Sequence, residues 1–365
     1  MGATISKAGA ERTTPLATAT LVAAANAPDI DIFAYSHGEY FALSFRRGIT
    51  HGLPALLVLP FLVAGIMLAW DRWVRRRRNP DAEPARAGPI LALSVIGLIT
   101  HPTLDWMNTY GMRWLLPFND SWTYGDALFI VDPWLWLGLG GAVFLSTSRG
   151  WSARIGWGLL ALVTSALILA APLPLGVGVR VLWVAGVGTI AAASAMGRPK
   201  DSEGRRRLAT TMGVLAIVYI AGMVASDLAA RRVVLRSAEA AGLEVRELMV
   251  APTPGNPFVA EVEVLTDDGF VPGTHRWFAS PSVELFPERT VPLRSGPRGL
   301  SQADTETIVA LAANIPEAHY WLEWARYPYA RVERDAPFWV VTFRDARYDA
   351  QEGAGGLSGV TVRFE

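Results

Sequence analysis

Residues 99–118 read ITHPTLDWMNTYGMRWLLPF, and the organisation of the whole chain can be worked out from this stretch. It closes a long apolar run, yet it contains His101 and Asp105, with an asparagine and an arginine soon after them. Ionisable groups at membrane depth cost free energy, so they mark candidate functional sites. Because residues four apart share one face of a helix, this pair could bind a ligand together or simply hydrogen-bond to each other. Pro102 lies between them, and we expect it to kink or restart the helix.

The chain has 365 residues, of which 51% are hydrophobic, and several apolar runs have the length that crosses a bilayer. Since a spanning helix needs about twenty residues, we predict an α-helical polytopic membrane protein with about six spans. The predicted spans cover residues 53–70, 89–107, 127–147, 155–171, 177–196 and 208–228. The apolar segment 15–27 is too short to span and predicts one short N-terminal helix. Charge is balanced, so no nucleic-acid partner is expected, and the absence of cysteine excludes disulfides and thiolate ligands.

The pattern changes after residue 230. Alternation of apolar and polar residues over 258–266 and 338–343 indicates strands, and residues 301–314 and 317–326 have helical patterns. We therefore predict two domains, a membrane-embedded helical domain over 1–230 and a soluble α+β domain over 231–365.

Three basic loops set the expected orientation. They cover residues 72–86, 149–154 and 198–207, and two predicted spans separate each from the next. The positive-inside rule places all three in the cytoplasm. The connections 29–51, 108–126 and 172–176 then face outward, and the C-terminal domain is expected to be extracytoplasmic. Arg231 and Arg232 are a mild objection, because they would lie on the outer side.

This orientation places five potential metal ligands at one membrane depth. They are Asp29, Asp31, His51, His101 and Asp105, and they come from the outer ends of three segments. Imidazole and carboxylate together suit a divalent metal, Zn²⁺ first, with Mn²⁺ or Fe²⁺ as alternatives. A bound metal activates water for hydrolysis, and His101 and Asp105 are the candidate catalytic residues. Structural roles are the alternatives: Asp31 could cap the following segment, and His51 could head the helix that begins near residue 53.

A second group consists of candidate substrate-binding residues: Arg46, Arg47, Arg113, Asp126 and Asp132. The arginines could bind a phosphate or carboxylate, or could anchor the chain to lipid headgroups. Asp132 precedes a proline, a pattern that is equally typical of a helix N-cap.

Four strings carry a family resemblance: ANAPDIDIFAY at 25–35, FRRGITHG at 45–52, THPTLDWMNTYGMRWLLPF at 100–118 and GDALFIVDPWLW at 125–136. In this order they resemble the YdjM/YbcI family of bacterial inner-membrane proteins, which are predicted metal-dependent hydrolases. The resemblance implies a multi-pass protein of the bacterial inner membrane, with a site made of Asp29 and/or Asp31, His51, His101 and Asp105. Members of the family usually begin with a helix that carries a Thr-His pair, whereas this sequence opens with GATISKAGAERTTPLA after Met1.

The leading hypothesis is a membrane-bound metal-dependent hydrolase with its site at the outer face of the inner membrane. Zinc-dependent phospholipase C and related nucleases share the order Asp, His, HxxxD, which suggests a lipid or other amphiphilic phosphoester as substrate. The alternatives are an ion or solute transporter, which needs polar residues across the bilayer, and a non-catalytic scaffold or sensor. The expected partner is the lipid bilayer, and the sequence gives no oligomeric state.

Overall fold

The structure is a computed structural model that describes residues 1–148, 150–170, 175–197, 201–348 and 356–365. These residues form two compact units. The first consists of Met1–Ile30, Arg47–Asp227 and Ala251–Pro257, and the second of Asp31–Arg46, Leu228–Val250 and Phe258–Glu365. Residue 149 of the second basic loop, residues 171–174 around the third outward connection and residues 198–200 of the third basic loop lie outside the described part.

Among the described residues, five helical segments are long and apolar enough to cross a membrane. They are Leu53–Arg78, Ala87–Trp106, Trp151–Ala170, Val177–Met196 and Ser202–Ala240. Many of their large apolar side chains are exposed, such as Phe61 and Leu162. An apolar surface of this extent would be costly in water, but it matches the hydrocarbon of a bilayer. The prediction of a polytopic helical membrane protein is therefore confirmed.

The helices of the first unit, in chain order, are α1 (Gly2–Lys7), α2 (Ala17–Asn26), α4 (Leu53–Trp70), α5 (Arg76–Arg78), α6 (Ala87–Trp106), α7 (Pro133–Leu135), α8 (Gly141–Thr147), α9 (Trp151–Ala170), α10 (Val177–Met196) and most of α11 (Ser202–Ala240). The short helix α3 (Glu39–Phe45) precedes α4 and belongs to the second unit. A π-helical turn joins α4 to α5 over Asp71–Arg75, and another joins α7 to α8 over Trp136–Gly140.

The predicted span 127–147 is shorter than expected, because it is helical only from Pro133 to Thr147. Fifteen helical residues extend about 22 Å, less than the roughly 30 Å of a bilayer core. The late start has a local cause. Asp132 Oδ1 accepts hydrogen bonds from the backbone N–H groups of Trp134 and Leu135, both at 3.0 Å, and Pro133 takes the first helical position. The N-cap interpretation of Asp132 is thus confirmed.

Helix α2 confirms the predicted short N-terminal helix, and it packs closely on α6. The close approach occurs at Gly97, where a Cβ atom would lie 2.9 Å from the carbonyl oxygen of Leu21. A glycine at this point therefore lets the end of α2 come near His101, one helical turn further along α6. Helix α6 does not restart at Pro102, because it continues through that residue to Trp106, and the expected kink stays a prediction. A proline inside a helix removes one backbone hydrogen bond, and the packing against α2 stabilises α6 despite that loss.

The second unit contains both helices and strands, which confirms the predicted α+β class. Its two four-stranded sheets have the orders β1-β2-β3-β4 and β5-β6-β7-β8. Their strands are β1 (Glu247–Pro252), β2 (Val259–Leu265), β3 (Phe270–Arg276), β4 (Val283–Leu285), β5 (Arg294–Ser295), β6 (Pro328–Asp335), β7 (Phe338–Asp345) and β8 (Gly359–Phe364). Strands β5 and β6 are parallel, whereas the β2–β3, β3–β4, β6–β7 and β7–β8 pairs are antiparallel.

Helices α12 (Gln302–Ala313) and α13 (Pro316–Trp324) lie where the helical patterns predicted them. Trp321, Trp324 and Tyr327 are almost fully buried and supply much of this core. Helix α3 packs on α13, and the rings of Phe41 and Tyr320 meet edge to face at 5.3 Å. The predicted domain boundary at residue 230 falls inside the continuous helix α11, and the two-domain division stays a prediction.

Candidate metal centre

Three elements of the first unit bring one carboxylate and two imidazoles together. Asp29 lies at the start of the 3-10 segment after α2, His51 lies in the turn before α4, and His101 lies in the last turns of α6. One ligand atom from each residue lies within 4.8 Å of the others. His101 Nε2 is 3.6 Å from Asp29 Oδ2, and the two imidazole rings are 5.3 Å apart between centroids.

The loop after α6 holds the turn that carries His51. The backbone N–H of Leu53 donates to the carbonyl oxygen of Trp114 at 2.7 Å. The backbone N–H of Arg113 donates to the carbonyl oxygen of Arg47 at 3.0 Å. Gly52 makes this possible, because a Cβ there would lie 2.7 Å from the Trp114 oxygen. The stretch 99–118 therefore supplies His101 and also positions the segment that supplies His51.

The hydrogen bond of His101 fixes which ring nitrogen can bind a metal. Its Nδ1 lies 2.7 Å from the carbonyl oxygen of Ala25. A carbonyl only accepts, so Nδ1 carries the proton and Nε2 keeps its lone pair. Nε2 is buried, and no group among the described residues forms a hydrogen bond with it. A buried acceptor is costly when it is left unsatisfied, so this atom fits a metal ion well.

Asp105 extends the cluster to four residues. Its Oδ2 atom is 3.5 Å from His51 Nε2 and 3.5 Å from His101 Nε2. Two ligands on a tetrahedral ion with bonds of about 2.0–2.1 Å lie roughly 3.3–3.4 Å apart. The observed separations are close to that value. His51 is fully buried, whereas 40% of the Asp29 side chain is exposed, so the cluster is accessible from the Asp29 side.

Arg47 lies against Asp105. Its Nε atom is 2.9 Å from Asp105 Oδ2, its Nη1 donates to Asn108 Oδ1 at 2.8 Å, and its guanidinium lies 4.5 Å from the centre of the Tyr110 ring. The Arg47 side chain is only 6% exposed, and its φ of 55° is rare for a residue with a side chain. These contacts neutralise and orient the Asp105 carboxylate, and the predicted substrate-binding role of Arg47 remains a prediction.

The other predicted site residues have these surroundings. Within the second unit, the buried side chain of Asp31 pairs with Arg46 Nε at 3.2 Å. The Arg113 guanidinium lies 4.7 Å from the centre of the Trp122 ring. Asp126 is buried, with a φ of 50°, and Asp132 caps α7. A metal role for Asp31 and substrate-binding roles for the others stay predictions.

Sequence reasoning missed three contributors to the site. Thr50 Oγ1 lies 3.0 Å from His51 Nδ1, the Ala25 carbonyl orients His101, and Asn108 anchors Arg47. Thr50 directly precedes His51 and Asn108 follows Asp105 by three positions, so their proximity to candidate site residues was a usable signal. Every residue has a backbone carbonyl, so the residue type at position 25 could not indicate that Ala25 accepts a hydrogen bond from His101.

The helices and this polar cluster define a polytopic α-helical membrane protein with a histidine and aspartate site. Residues 1–175 match the family model described as YdjM inner membrane protein, and they include all four clustered residues. This match covers just under half of the chain and confirms the resemblance to the YdjM family that the four strings indicated. Together with the long apolar helices it supports a multi-pass protein of the inner membrane. No curated protein and no solved structure matches the chain.

Proposed function

We propose that the chain is a membrane-bound, metal-dependent hydrolase whose divalent metal is held by Asp29, His51 and His101. The convergence of one carboxylate and two imidazole nitrogens from three separate elements is the observation that carries the proposal. Imidazole and carboxylate ligands suit Zn²⁺ best, and Mn²⁺ or Fe²⁺ next. Three protein ligands are also the usual number in a catalytic zinc site, where a further position stays open for water or substrate.

A divalent ion at this site would polarise a water molecule or a substrate oxygen for hydrolysis. The residues of the chain have separate tasks around it. The Ala25 carbonyl keeps the His101 ring in its ligating tautomer. Asp105 Oδ2 is close enough to both imidazoles to complete the ligand set or to accept a proton from water, and Arg47 holds it in place. Exposure of Asp29 leaves an approach for the substrate.

The site is proposed to lie at the outer face of the membrane. It is at the C-terminal end of α6, whereas the run Arg75 to Arg78 and its loop precede the N-terminal end of the same helix. The positive-inside rule supports a cytoplasmic position for that loop. A lipid or another amphiphilic phosphoester is the proposed substrate class, and the C-terminal domain is proposed to be extracytoplasmic.

Metal analysis of the purified chain in detergent tests the proposal. After incubation with Zn²⁺, Mn²⁺ or Fe²⁺ and removal of free ion, the wild-type chain should retain one of these metals at a stoichiometric level. His51→Ala and His101→Ala should each lower metal affinity by about 100-fold or more, since loss of an outer-shell partner alone costs about 10–100-fold. His319→Ala is the matched control, because this exposed histidine of α13 pairs with Glu323 in the second unit. A wild-type chain that retains none of the three metals would refute the proposal.

A hydrolysis assay completes the test. The metal-loaded chain should cleave a phospholipid or a chromogenic phosphodiester, and His101→Ala should lose that activity together with its metal. Retained metal with no hydrolysis of any ester offered would favour the non-catalytic sensor.

A further inference from the structure

A large apolar cavity opens beside the polar cluster, within the first unit. Its volume is about 730 Å³, inside the range of about 300–1,000 Å³ that is typical of ligand pockets. Asp105 and Asn108 line it, so it reaches the carboxylate that faces both imidazoles. The proposed reaction does not by itself account for a space of this size.

The walls of the cavity come mainly from residues 133–144, α9 and α10, with a contribution from the end of α6, and they are mostly apolar. Representative residues are Leu139 and Phe144 before the second basic loop, Trp157 on α9, and Trp183 and Ile190 on α10. Two of the polar residues in the walls already have contacts. The Thr164 hydroxyl donates to the Leu160 carbonyl of its own helix, and the Arg154 guanidinium lies 5.9 Å from the centre of the Trp151 ring.

Along one wall, the residues that line the cavity span about the thickness of one lipid leaflet. It is lined by Asp132, at the start of the short helical segment, and by Phe144, twelve residues further along it. Twelve helical residues extend about 18 Å, slightly more than half of the roughly 30 Å hydrocarbon core. Apolar cavities exclude water and bind apolar molecules, and the apolar molecules around a membrane-spanning helix are lipid chains.

We propose that this cavity binds one acyl chain of the substrate, so that the substrate is a membrane lipid whose scissile ester lies beside Asp105. This inference rests on the proposed hydrolase function. It narrows the substrate class to a membrane lipid and adds the site that selects it. In this proposal the wall residues Asp105, Asn108 and Asp132 would lie beside the headgroup, and the aromatic wall residues would enclose the chain.

Two glycines of α9 provide a matched pair of variants. Gly158 lines the cavity, whereas Gly156 lies outside its walls. Among the described residues, no atom lies within 4 Å of a Cβ built on either glycine, so both positions have room for a larger side chain. Gly158→Phe should place an aromatic ring inside the cavity, and Gly156→Phe should place the same ring elsewhere on the same helix.

The experiment uses the full chain in vesicles of phosphatidylethanolamine and phosphatidylglycerol. The probe is a phosphatidylglycerol with a photoreactive diazirine midway along one chain, and mass spectrometry maps the labelled residues. Labelling at Phe144 and Ile190 should fall about tenfold or more in Gly158→Phe, because the acyl chain would have to overpack against the new ring. Gly156→Phe should label like the wild type, and both variants should retain the metal. If Gly158→Phe does not accumulate, Gly158→Leu takes its place with Gly156→Leu as control.

The outcomes separate this inference from the proposed function. Metal retention with equal labelling in both variants, or with no labelling at Phe144 and Ile190 in the wild type, would overturn the acyl-chain site and leave the hydrolase intact. Labelling that only Gly158→Phe blocks, in a chain that holds no metal, would refute the hydrolase and with it the substrate role of the cavity.

Discussion

The pairing of Arg47 with Asp105 gives the sharpest quantitative prediction. Arg47→Met keeps the length of the side chain and removes the charge that faces Asp105 Oδ2 at 2.9 Å. It also removes the donor to Asn108 and the cation above the Tyr110 ring. Methionine has a Cβ atom, as arginine does, so the steric strain of the positive φ at position 47 is the same in the variant as in the wild type. The change therefore isolates the charge and its contacts.

The expected cost follows from burial. The side chains of Arg47 and Asp105 are only 6% and 19% exposed. Removing one partner of a buried ion pair typically costs about 3–5 kcal/mol, because the other charge is left uncompensated. We expect about 3 kcal/mol, the lower end, since Asp105 retains some contact with solvent. For a unit of about 200 residues this lowers the melting temperature by about 6–12 °C.

Thermal unfolding in detergent, followed by the fluorescence of the fourteen tryptophans, measures the effect. A chelator is present throughout, so that a bound ion does not mask the loss of the guanidinium. Asp105→Asn alone should also destabilise the chain, and the double variant should recover most of the stability that Arg47→Met loses. Arg207→Met is the control, because this arginine pairs with Glu203 on the surface and its side chain is 76% exposed. A double variant no more stable than Arg47→Met, or an equal loss in the control, would refute the assigned role of Arg47.

Three further predictions concern Asp345, Tyr219 and the metal centre. Burial would raise the pKa of Asp345, but the Arg347 guanidinium and backbone N–H groups outweigh it and hold that pKa below its usual value. The ionised carboxylate therefore stabilises the fold above its unfolded pKa of about 3.9, and this stabilisation is lost as pH falls below that value. Asp345→Asn should therefore melt at a lower temperature than the wild type at pH 7, and its melting temperature should fall less than that of the wild type when the solution is acidified. Tyr219→Phe removes the 2.7 Å hydrogen bond to Asp132 Oδ2 and should cost about 1.5–3 kcal/mol, which thermal unfolding would detect as a lower midpoint. When the free ion is at roughly 100 times its dissociation constant, adding a chelator should lower the unfolding free energy of the metal-loaded wild type by about 2.7 kcal/mol. The chelator should leave the melting temperature of His101→Ala unchanged.

The sequence predicted those parts of the fold that depend on local patterns. Apolar runs located the long helices, and alternation located β2 and β7. The joint placement of Asp29, His51 and His101 could also be anticipated, because span order and loop charge assign them one depth. That reasoning needed no side-chain geometry, and the structure places their ligand atoms within 4.8 Å of one another.

The remaining features depend on contacts between distant residues. Arg47 meets Asp105 across 58 positions, so its sequence context could only suggest a free cation for a substrate. Continuity of α6 through Pro102 depends on packing against α2, which outweighs the local preference of proline. The span predicted over 127–147 was too long, because hydrophobicity does not reveal where a capped helix begins.

The packing of α3 on α13 has a consequence for truncation. These helices are separated by more than 270 positions in the chain, yet both belong to the second unit. A stop codon after residue 230 would leave α3 in the product and remove α13, so Phe41 would lose the ring of Tyr320 that it contacts. Conversely, a fragment that begins at residue 231 would expose the face of α13 that α3 covers. A cut at residue 230 therefore disrupts one packing contact in each product, and a loss of function in such a deletion does not by itself locate the functional site.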